Sequence, residues 1–105
     1  MSVRNEKITE LVRAAAASYI KEEANRLSLI TVTRVVVTDD EKEATIFFTV
    51  YPTEKESDAL DFLKRKRSEF KAYSKSHMKI RRIPFFDFRV DTGEKNRQRI
   101  DELSQ

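Results

Sequence analysis

The amino-acid sequence predicts an α+β fold in which amphipathic helices cover one face of a three-stranded sheet. Three observations indicate it: helical spacing of apolar residues near the start of the chain, two runs rich in alternating apolar residues, and a later helical segment that leads into a third strand. The predicted order of elements is α-β-β-α-α-β-α. At 105 residues the chain is long enough for one domain, residues 1–105, with one modest core.

The composition excludes several classes of site. The chain has no Cys, so a disulfide, a thiolate zinc site and a cysteine nucleophile are all ruled out. With one Gly and one His, the chain has no phosphate loop, dinucleotide fingerprint or nucleophile–base pair. We therefore expect a protein that is not an enzyme and that uses no cofactor, metal or small-molecule substrate. No segment resembles a signal peptide or a membrane span, so we expect a soluble, cytoplasmic protein with no membrane partner.

The first predicted element is an amphipathic helix over residues 3–25. Its apolar residues recur at intervals of three and four, which places them on one side of a helix. Ser2 is in position to cap this helix, and the four consecutive alanines at residues 14–17 favour helix formation. The predicted buried stripe consists of Ile8, Leu11, Val12, Ala15, Tyr19 and Ile20.

The next segment, residues 29–38, is rich in β-branched residues and is predicted to be a strand. Ile30 and Val32 share one face of the strand, whereas Val35 and Val37 have the opposite parity. All four can face the core only if an extra residue near Thr33-Arg34 shifts the phase. We therefore predict a β-bulge at that point.

A second strand is predicted over residues 44–51, joined to the first as an antiparallel hairpin through the polar turn at residues 39–43. Phe47 and Tyr51 lie on the face opposite the predicted core residues, where they could stack on RNA bases. A covering helix or cross-strand pairing would also account for them, and we favour these structural roles. The predicted core face consists of Ala44, Ile46, Phe48 and Val50.

The following helical segment is predicted to be broken. It begins near Ser57 or Asp58, either of which is in position to cap it. An unbroken helical period would bury Arg67 and Ser74, and neither residue suits a core. We therefore predict a break near Lys66-Arg67-Ser68, after which the apolar stripe is rotated. The first stripe is Ala59, Leu60 and Leu63, and the second is Phe70, Tyr73 and His77 or Met78.

A third strand is predicted over residues 78–90, with an interruption at Pro84 that suits a sheet edge. In its second half, Phe86, Phe88 and Val90 alternate with polar residues on a solvent-exposed face, Asp87, Arg89 and Asp91. Because Arg89 lies between the two acids, ion pairing is favoured there over metal binding. After a turn, a short C-terminal helix is predicted to bring Ile100 and Leu103 against the core.

Positive charge is concentrated between residues 64 and 82. This stretch contains nine basic residues and one acid, Glu69, for a net charge of +8, whereas the whole chain carries +3. The remaining residues therefore sum to −5. A polyanion would meet one strongly basic surface on an otherwise acidic molecule, which indicates a nucleic-acid partner.

Three parts of the sequence together resemble the ribosome-binding factor A family of bacterial small-subunit assembly factors. Residues 30–39 and 44–50 resemble the family's strands VTVTxVxVSxD and AxVxVSV. Residues 78–88 are similar to LxLRxxPxLxF, and the family's following Asp corresponds to Asp91. Residues 100–103, Ile-Asp-Glu-Leu, resemble IxxLL. The order and spacing of these parts carry the resemblance, which covers nearly the whole chain.

The resemblance implies a KH-like fold of the second topological type, α-β-β-α-kink-α-β, in which an Ala-x-Gly kink replaces the Gly-x-x-Gly loop. The kink aligns with Lys66-Arg67-Ser68, where periodicity separately predicts the break. Here Lys66 stands at the alanine position and Ser68 at the glycine position, and Lys71 stands where the family often has Arg. Since serine does not allow the close backbone approach of glycine, these departures concern the RNA contacts more than the fold.

The resemblance and the charge together predict a monomeric RNA-binding module that docks on 16S rRNA of the immature small (30S) ribosomal subunit and assists its maturation. The alternatives are a general KH module for single-stranded RNA and a protein-interaction module whose basic face meets an acidic partner. A solvated helix face would also account for the basic run. The predicted RNA-binding residues are Lys64, Arg65, Lys66, Arg67, Ser68, Lys71, Lys75, Lys79, Arg81, Arg82, Arg4 and Lys7.

Overall fold

A computed structural model describes residues 3–23 and 29–93, with side chains from residue 6 onward in the first range. The predicted cap at Ser2 and the predicted C-terminal helix with Ile100 and Leu103 lie outside the described residues. A short 3-10 helix, Thr53–Lys55, precedes the second α-helix. The elements in chain order are α1 (Val3–Glu23), β1 (Leu29–Val37), β2 (Glu43–Tyr51), α2 (Glu56–Arg65), α3 (Arg67–His77) and β3 (Phe85–Val90).

The three strands form one mixed sheet in the order β1-β2-β3. β1 and β2 are an antiparallel hairpin, as predicted. β3 runs parallel to β2 at the sheet edge, and a parallel pair needs a long crossover connection, which α2 and α3 supply. The order α-β-β-α-α-β, with a break between the last two helices, is the KH-like α+β arrangement that the resemblance implies.

The predicted β-bulge lies at Thr33. Val32 is opposite Phe48 and Arg34 is opposite Phe47, so Thr33 is the extra residue of β1. Its hydroxyl donates a hydrogen bond of 2.6 Å to the carboxylate of Asp91. The bulge therefore serves both faces of the strand: it restores the core parity of the residues that follow, and it directs a donor toward the end of β3.

The helices pack on one face of the sheet, and Phe70 of α3 lies at the centre of the contact. Its ring centroid is 4.6 Å from that of Phe86 and 5.9 Å from that of Phe88 in β3, and 5.3 Å from that of Tyr19 in α1. Burial raises the pKa of Tyr19 to about 12, with smaller contributions from the nearby carboxylates of Glu69 and Glu23. One aromatic cluster thus joins α1, α3 and β3.

Two details of the helices differ from prediction. Leu11 is 40% exposed and Ala16 is buried in its stead, because the buried stripe of α1 is narrower and includes positions four and eight residues after Ile8. α2 begins at Glu56 with Lys55 as its N-cap, and no side chain caps it. Ser57 and Asp58 therefore lie in the first turn, where the carboxylate of Asp58 favours the positive end of the helix dipole.

The third strand is shorter than predicted. Residues 78–84 are irregular, and β3 starts at Phe85, whose N–H donates to the carbonyl of Lys42 at 2.8 Å. Pro84 has no N–H to donate, so ladder pairing begins immediately after it.

Asp91 was predicted to be solvent-exposed, but it is buried. Its N–H donates to the carbonyl of Phe48 at 2.8 Å, and its carboxylate is held by Thr33 and by Arg34, whose Nε is 3.5 Å away. The bulge brings both partners to this position, and these contacts offset the cost of burying the charge.

Candidate nucleic-acid interface

The predicted break separates α2 from α3 at a single residue, Lys66, which has φ −92° and ψ 4°. Its N–H is shared between the carbonyls of Phe62 and Leu63, each at 3.1 Å. No residue of this junction has a positive φ. Lysine and serine therefore take the alanine and glycine positions of the family pattern without backbone strain.

The break lies where it was predicted, but the predicted rotation of the buried stripe is wrong, because the residues buried on either side of Lys66 keep one helical spacing. α2 buries Ala59 and Leu63, and α3 buries Phe70 and Ser74. The expectation that Ser74 is unsuited to the core is wrong. Ser74 lies one turn after Phe70 on the same side of α3. The face of the helix that packs Phe70 into the core therefore also buries Ser74.

His77 is the last residue of α3 and is exposed. Its ring stacks on that of Tyr73 with centroids 3.9 Å apart, and its Nδ1 is 2.8 Å from the carbonyl oxygen of Tyr73. Met78, the alternative member of the predicted second stripe, is buried. The contacts of His77 therefore lie within the last turn of α3.

The basic residues of the junction fall into two groups. Lys64 and Arg65 are exposed and have no ion pair within the described part of the chain. Lys66 and Arg67 are half-buried and engaged: the Lys66 amine is 3.0 Å from a carboxylate oxygen of Glu69, and the Arg67 guanidinium is 3.6 Å from that of Asp87. Of these four, Lys64 and Arg65 have no acidic partner within residues 29–93 and can present their charges to an incoming ligand.

Lys66 and Arg67 also lie against aromatic rings. The Lys66 amine is 5.7 Å from the centroid of the Phe62 ring, and the Arg67 guanidinium is 5.3 Å from that of Phe85. Both are cation–π distances. Lys66 and Arg67, which are among the predicted RNA-binding residues, therefore both have partners within the protein at the junction.

Further basic residues continue from the junction along α3 and the segment after it. Lys71 and Lys75 follow Arg67 at four-residue intervals, so the three form a row along one side of α3. Lys79, Arg81 and Arg82 are exposed in the irregular segment before β3. Because this segment is not a strand, the two-residue alternation of side chains that a strand over residues 78–90 would impose does not apply to these three residues.

Seven exposed basic side chains therefore follow one another from the end of α2 to the segment before β3, and within residues 6–23 and 29–93 no acid pairs with any of them. Asp58 and Asp61 do line the same shallow cleft as Lys64 and Arg65, so the outer side of α2 presents both signs of charge. The α3 side and the following segment carry positive charge alone, apart from Glu69, which is paired with Lys66. The seven are Lys64, Arg65, Lys71, Lys75, Lys79, Arg81 and Arg82.

Of the two predicted contributors from α1, the structure describes the side chain of one. Lys7 is exposed, and no described contact links it to the junction. The side chain of Arg4 lies outside what the structure describes. Ser68 is exposed in the first turn of α3, beside the engaged Lys66 and Arg67.

The outer face of the sheet also carries aromatic residues. Phe47 is covered by the guanidinium of Arg34, which lies opposite it across the strands at 4.1 Å from the ring centroid. Tyr51 is opposite Leu29, and both are exposed. For Phe47 the geometry is the cross-strand pairing that the sequence favours over base stacking.

Sequence reasoning missed the partners of Arg67. Phe85 and Asp87 lie at the edge of the sheet on its outer face, and α2 packs on the same strand. Their alternation with Phe86 and Phe88 was visible, as was the ion pairing of Asp87 with Arg89, whose Nε lies 3.3 Å from the carboxylate. The contact with the junction depends on tertiary packing, for which the sequence has no local signal.

The amino-acid sequence of this chain is similar to those of known proteins. The sequence profile of a family described as "Ribosome-binding factor A" matches residues 4–104. The protein of that name from Tropheryma whipplei is 37% identical over 82 residues, which is 77% of this chain and 41% of the relative, so the chain spans about two-fifths of that protein's length. The Macrococcus caseolyticus protein is 29% identical over 112 residues, covering 100% of this chain and 98% of its own length.

Solved structures agree on the fold. The crystal structure of ribosome-binding factor A from Thermus thermophilus superposes with a TM-score of 0.73 at 20% identity, covering 82% of this chain and 93% of that one. A homology model of the Thermus thermophilus protein, fitted into a cryo-electron-microscopy map of a 30S complex, gives a TM-score of 0.68 at 22% identity, covering 77% and 88%. Among the described residues, no helix is both long and apolar enough to cross a membrane.

Proposed function

This chain belongs to the ribosome-binding factor A family, and from that premise we propose that it binds the small ribosomal subunit through the basic surface around the α2–α3 junction. The observation that carries the proposal is the group of seven exposed basic side chains without acidic partners among the described residues. They follow one another from the end of α2, along α3, and into the segment before β3. A surface of this kind suits the phosphates of a structured RNA.

The mechanism that we propose combines electrostatic docking with a shaped centre. Phosphates neutralised by lysine and arginine release condensed counterions, which makes binding strong and dependent on salt. The junction adds shape, because two helices diverge at Lys66 and leave exposed Ser68 among the charges. Arg65 and Lys71 flank that centre on either side. Docking therefore needs both the charges and the fixed angle between the helices.

The partner that we propose is 16S rRNA of the immature 30S subunit, bound by a monomer in the cytoplasm, so that maturation of that RNA is assisted without a catalytic step. Support comes from the family and from the related Thermus thermophilus protein that was fitted into the map of a 30S complex. The binding that we propose is to structured RNA, since the charges extend over two helices and the segment after them. The exposed ring of Tyr51, by contrast, lies on the outer face of the sheet.

Sedimentation through a sucrose gradient tests this function. A lysate of cells expressing the tagged chain, or the purified chain mixed with purified subunits, is expected to place it with free 30S particles and not with 50S particles. Migration with free RNA would instead support a general single-strand KH module. Migration with neither, together with capture by an acidic protein, would support the protein-interaction alternative. Either of these results would overturn the proposal.

Substitutions of Ser68 test the shaped centre. Ser68→Gly is expected to change the free energy of unfolding by less than about 1 kcal/mol and to strengthen binding to subunits, because backbone and phosphate can approach more closely. Ser68→Leu is expected to weaken binding without unfolding the protein, since a bulky side chain would stand between the phosphate and the helix terminus. Thermal melts and subunit titrations measure the two effects. Equal binding by the three proteins would show that the junction contributes charge but no shape.

A further inference from the structure

We propose that Arg67 is a positioning residue and not an RNA ligand: it clasps the α2–α3 junction to β3 by means of Asp87 and Phe85. The inference rests on the proposed function only for its effect on RNA binding. Its structural part concerns the free protein. It divides the Lys64–Arg67 run, which the sequence presents as one phosphate-binding cluster, into residues that meet RNA and a residue that holds them in place.

The clasp has two sides. An Nη atom of Arg67 is 3.6 Å from an oxygen of Asp87, and the guanidinium carbon lies 5.3 Å from the centroid of the Phe85 ring. Phe85 and Asp87 are two residues apart in β3, so they project from the same face of the strand. One planar guanidinium can pair with a carboxylate along its edge while its face lies over an aromatic ring.

The receiving side of the clasp is held in position independently of the junction. The Asp87 carboxylate accepts a hydrogen bond of 3.0 Å from the N–H of Phe88, which orients it. The pair with Arg89 is on the other oxygen, and the Arg89 side chain is exposed, so this pair adds little to the orientation. β3 is itself fixed by its ladder with β2. Asp87 is about one-quarter exposed, which favours an interaction stronger than a fully solvated pair.

The position of Arg67 explains why such a contact matters. It is the first residue of α3, directly after the break at Lys66, so a restraint on Arg67 fixes where α3 starts. Glu69 restrains Lys66 only locally, from the first turn of α3, at three residues' distance. Among the described ion pairs, Arg67–Asp87 is the one that joins the junction to the sheet.

Two explanations of Arg67 predict opposite results for one substitution. If Arg67 binds phosphate, Asp87→Asn removes a competing negative charge near the RNA, and binding should become tighter. If Arg67 is a clasp, the same change releases the junction, and binding should weaken by about two- to fivefold, the range expected for a partly exposed ion pair. The sign of the change therefore decides between them.

Arg89→Gln is the matched control. It removes a positive charge paired with the same carboxylate, and among the described contacts none joins Arg89 to the junction. The comparison is matched in charge, since Arg67→Gln and Arg89→Gln both lower the net charge by one. We expect Arg89→Gln to bind 30S subunits as the unchanged protein does and Arg67→Gln to bind about two- to fivefold more weakly.

The experiment titrates 30S subunits with the full chain carrying Asp87→Asn, Arg67→Gln, Arg89→Gln or Lys64→Gln at several salt concentrations. Arg67→Gln should lower affinity without changing the slope of log K against log salt, whereas Lys64→Gln should flatten that slope by roughly 0.7 to 0.9. A comparable flattening with Arg67→Gln, or unchanged or tighter binding with Asp87→Asn, would overturn the clasp.

A second readout needs no RNA. Amide hydrogen exchange of residues 66–69 in the free protein should be faster in Asp87→Asn and Arg67→Gln than in the unchanged chain and in Arg89→Gln. Equal exchange in all four proteins would overturn the proposal even if binding changed. If the unchanged chain fails to bind 30S subunits, the proposed function is wrong, and the exchange measurement still decides whether the clasp exists.

Discussion

Val35→Asp is expected to unfold the protein, whereas Arg34→Ala at the neighbouring position is expected to leave it folded. Val35 is buried against the helices and pairs with Ile46, which is wholly buried. A carboxylate at this point would have no partner, and burying it costs several kcal/mol. A chain of this size has a free energy of unfolding of about 5 to 15 kcal/mol, so such a loss removes much or all of it.

Arg34→Ala is the matched control for this prediction. The side chain of Arg34 is more than half exposed, and the substitution removes its contacts with Asp91 and Phe47. Because Thr33 still donates a hydrogen bond to the buried Asp91 carboxylate, we expect a loss of about 1 to 3 kcal/mol, which leaves the protein folded. Urea titration followed by circular dichroism compares the two variants. Equal unfolding midpoints would contradict the strand register on both sides of the bulge.

Replacing Lys64, Arg65 and Lys71 together with glutamine is expected to weaken binding to 30S subunits on the order of a hundredfold at physiological salt. All three are exposed, close to the junction, and without an ion pair in the described part of the chain. The slope of log K against log salt should flatten by roughly 0.7 to 0.9 for each phosphate that the variant no longer neutralises. Since none of the three is in the core, the thermal melt should stay near that of the unchanged protein.

A charge-matched control distinguishes the surface from net charge. Arg13→Gln, Lys21→Gln and Lys55→Gln together remove the same three charges from α1 and from the turn before α2. This variant is expected to lose less than about fivefold in affinity, because general attraction at a distance is screened by salt. If the two triple variants lose affinity equally, the basic surface has no localised role.

The sequence was sufficient for features that depend on periodicity. The β-bulge was predictable because Ile30 and Val35 cannot otherwise share a face. The helix break was predictable from Arg67, which an unbroken period would bury, whereas the same argument was wrong for Ser74, which is buried. In the strand, the local rule of two residues per repeat fails at one point, and the failure marks the position. In the helices, the buried residues keep one 3.6-residue period across the break, so only the unsuitable side chain of Arg67 marked it.

Features that depend on distant contacts were not predictable. The alternating pattern predicts that Asp91 is exposed. It is buried because the bulge in β1 places Thr33, 58 residues earlier in the chain, within hydrogen-bond distance of its carboxylate. Likewise, nothing local distinguishes Arg67 from Lys64 in a run of four basic residues. The difference arises because Arg67 contacts Phe85 and Asp87 of β3, whereas Lys64 has no described contact with that strand. The irregular segment at residues 78–84 has a local cause, because Pro84 cannot donate a ladder hydrogen bond and the strand starts after it.

The parallel pairing of β2 with β3 has a consequence for the order of folding. The β1–β2 hairpin forms from residues close in sequence, whereas β3 can join only after the chain has closed a long loop through both helices. The junction lies within that loop, and its partner Asp87 arrives with the final strand. During synthesis, therefore, α2 and α3 can coil before the angle between them is fixed, and a competent binding surface should appear only once residues 85–90 have left the ribosome and docked.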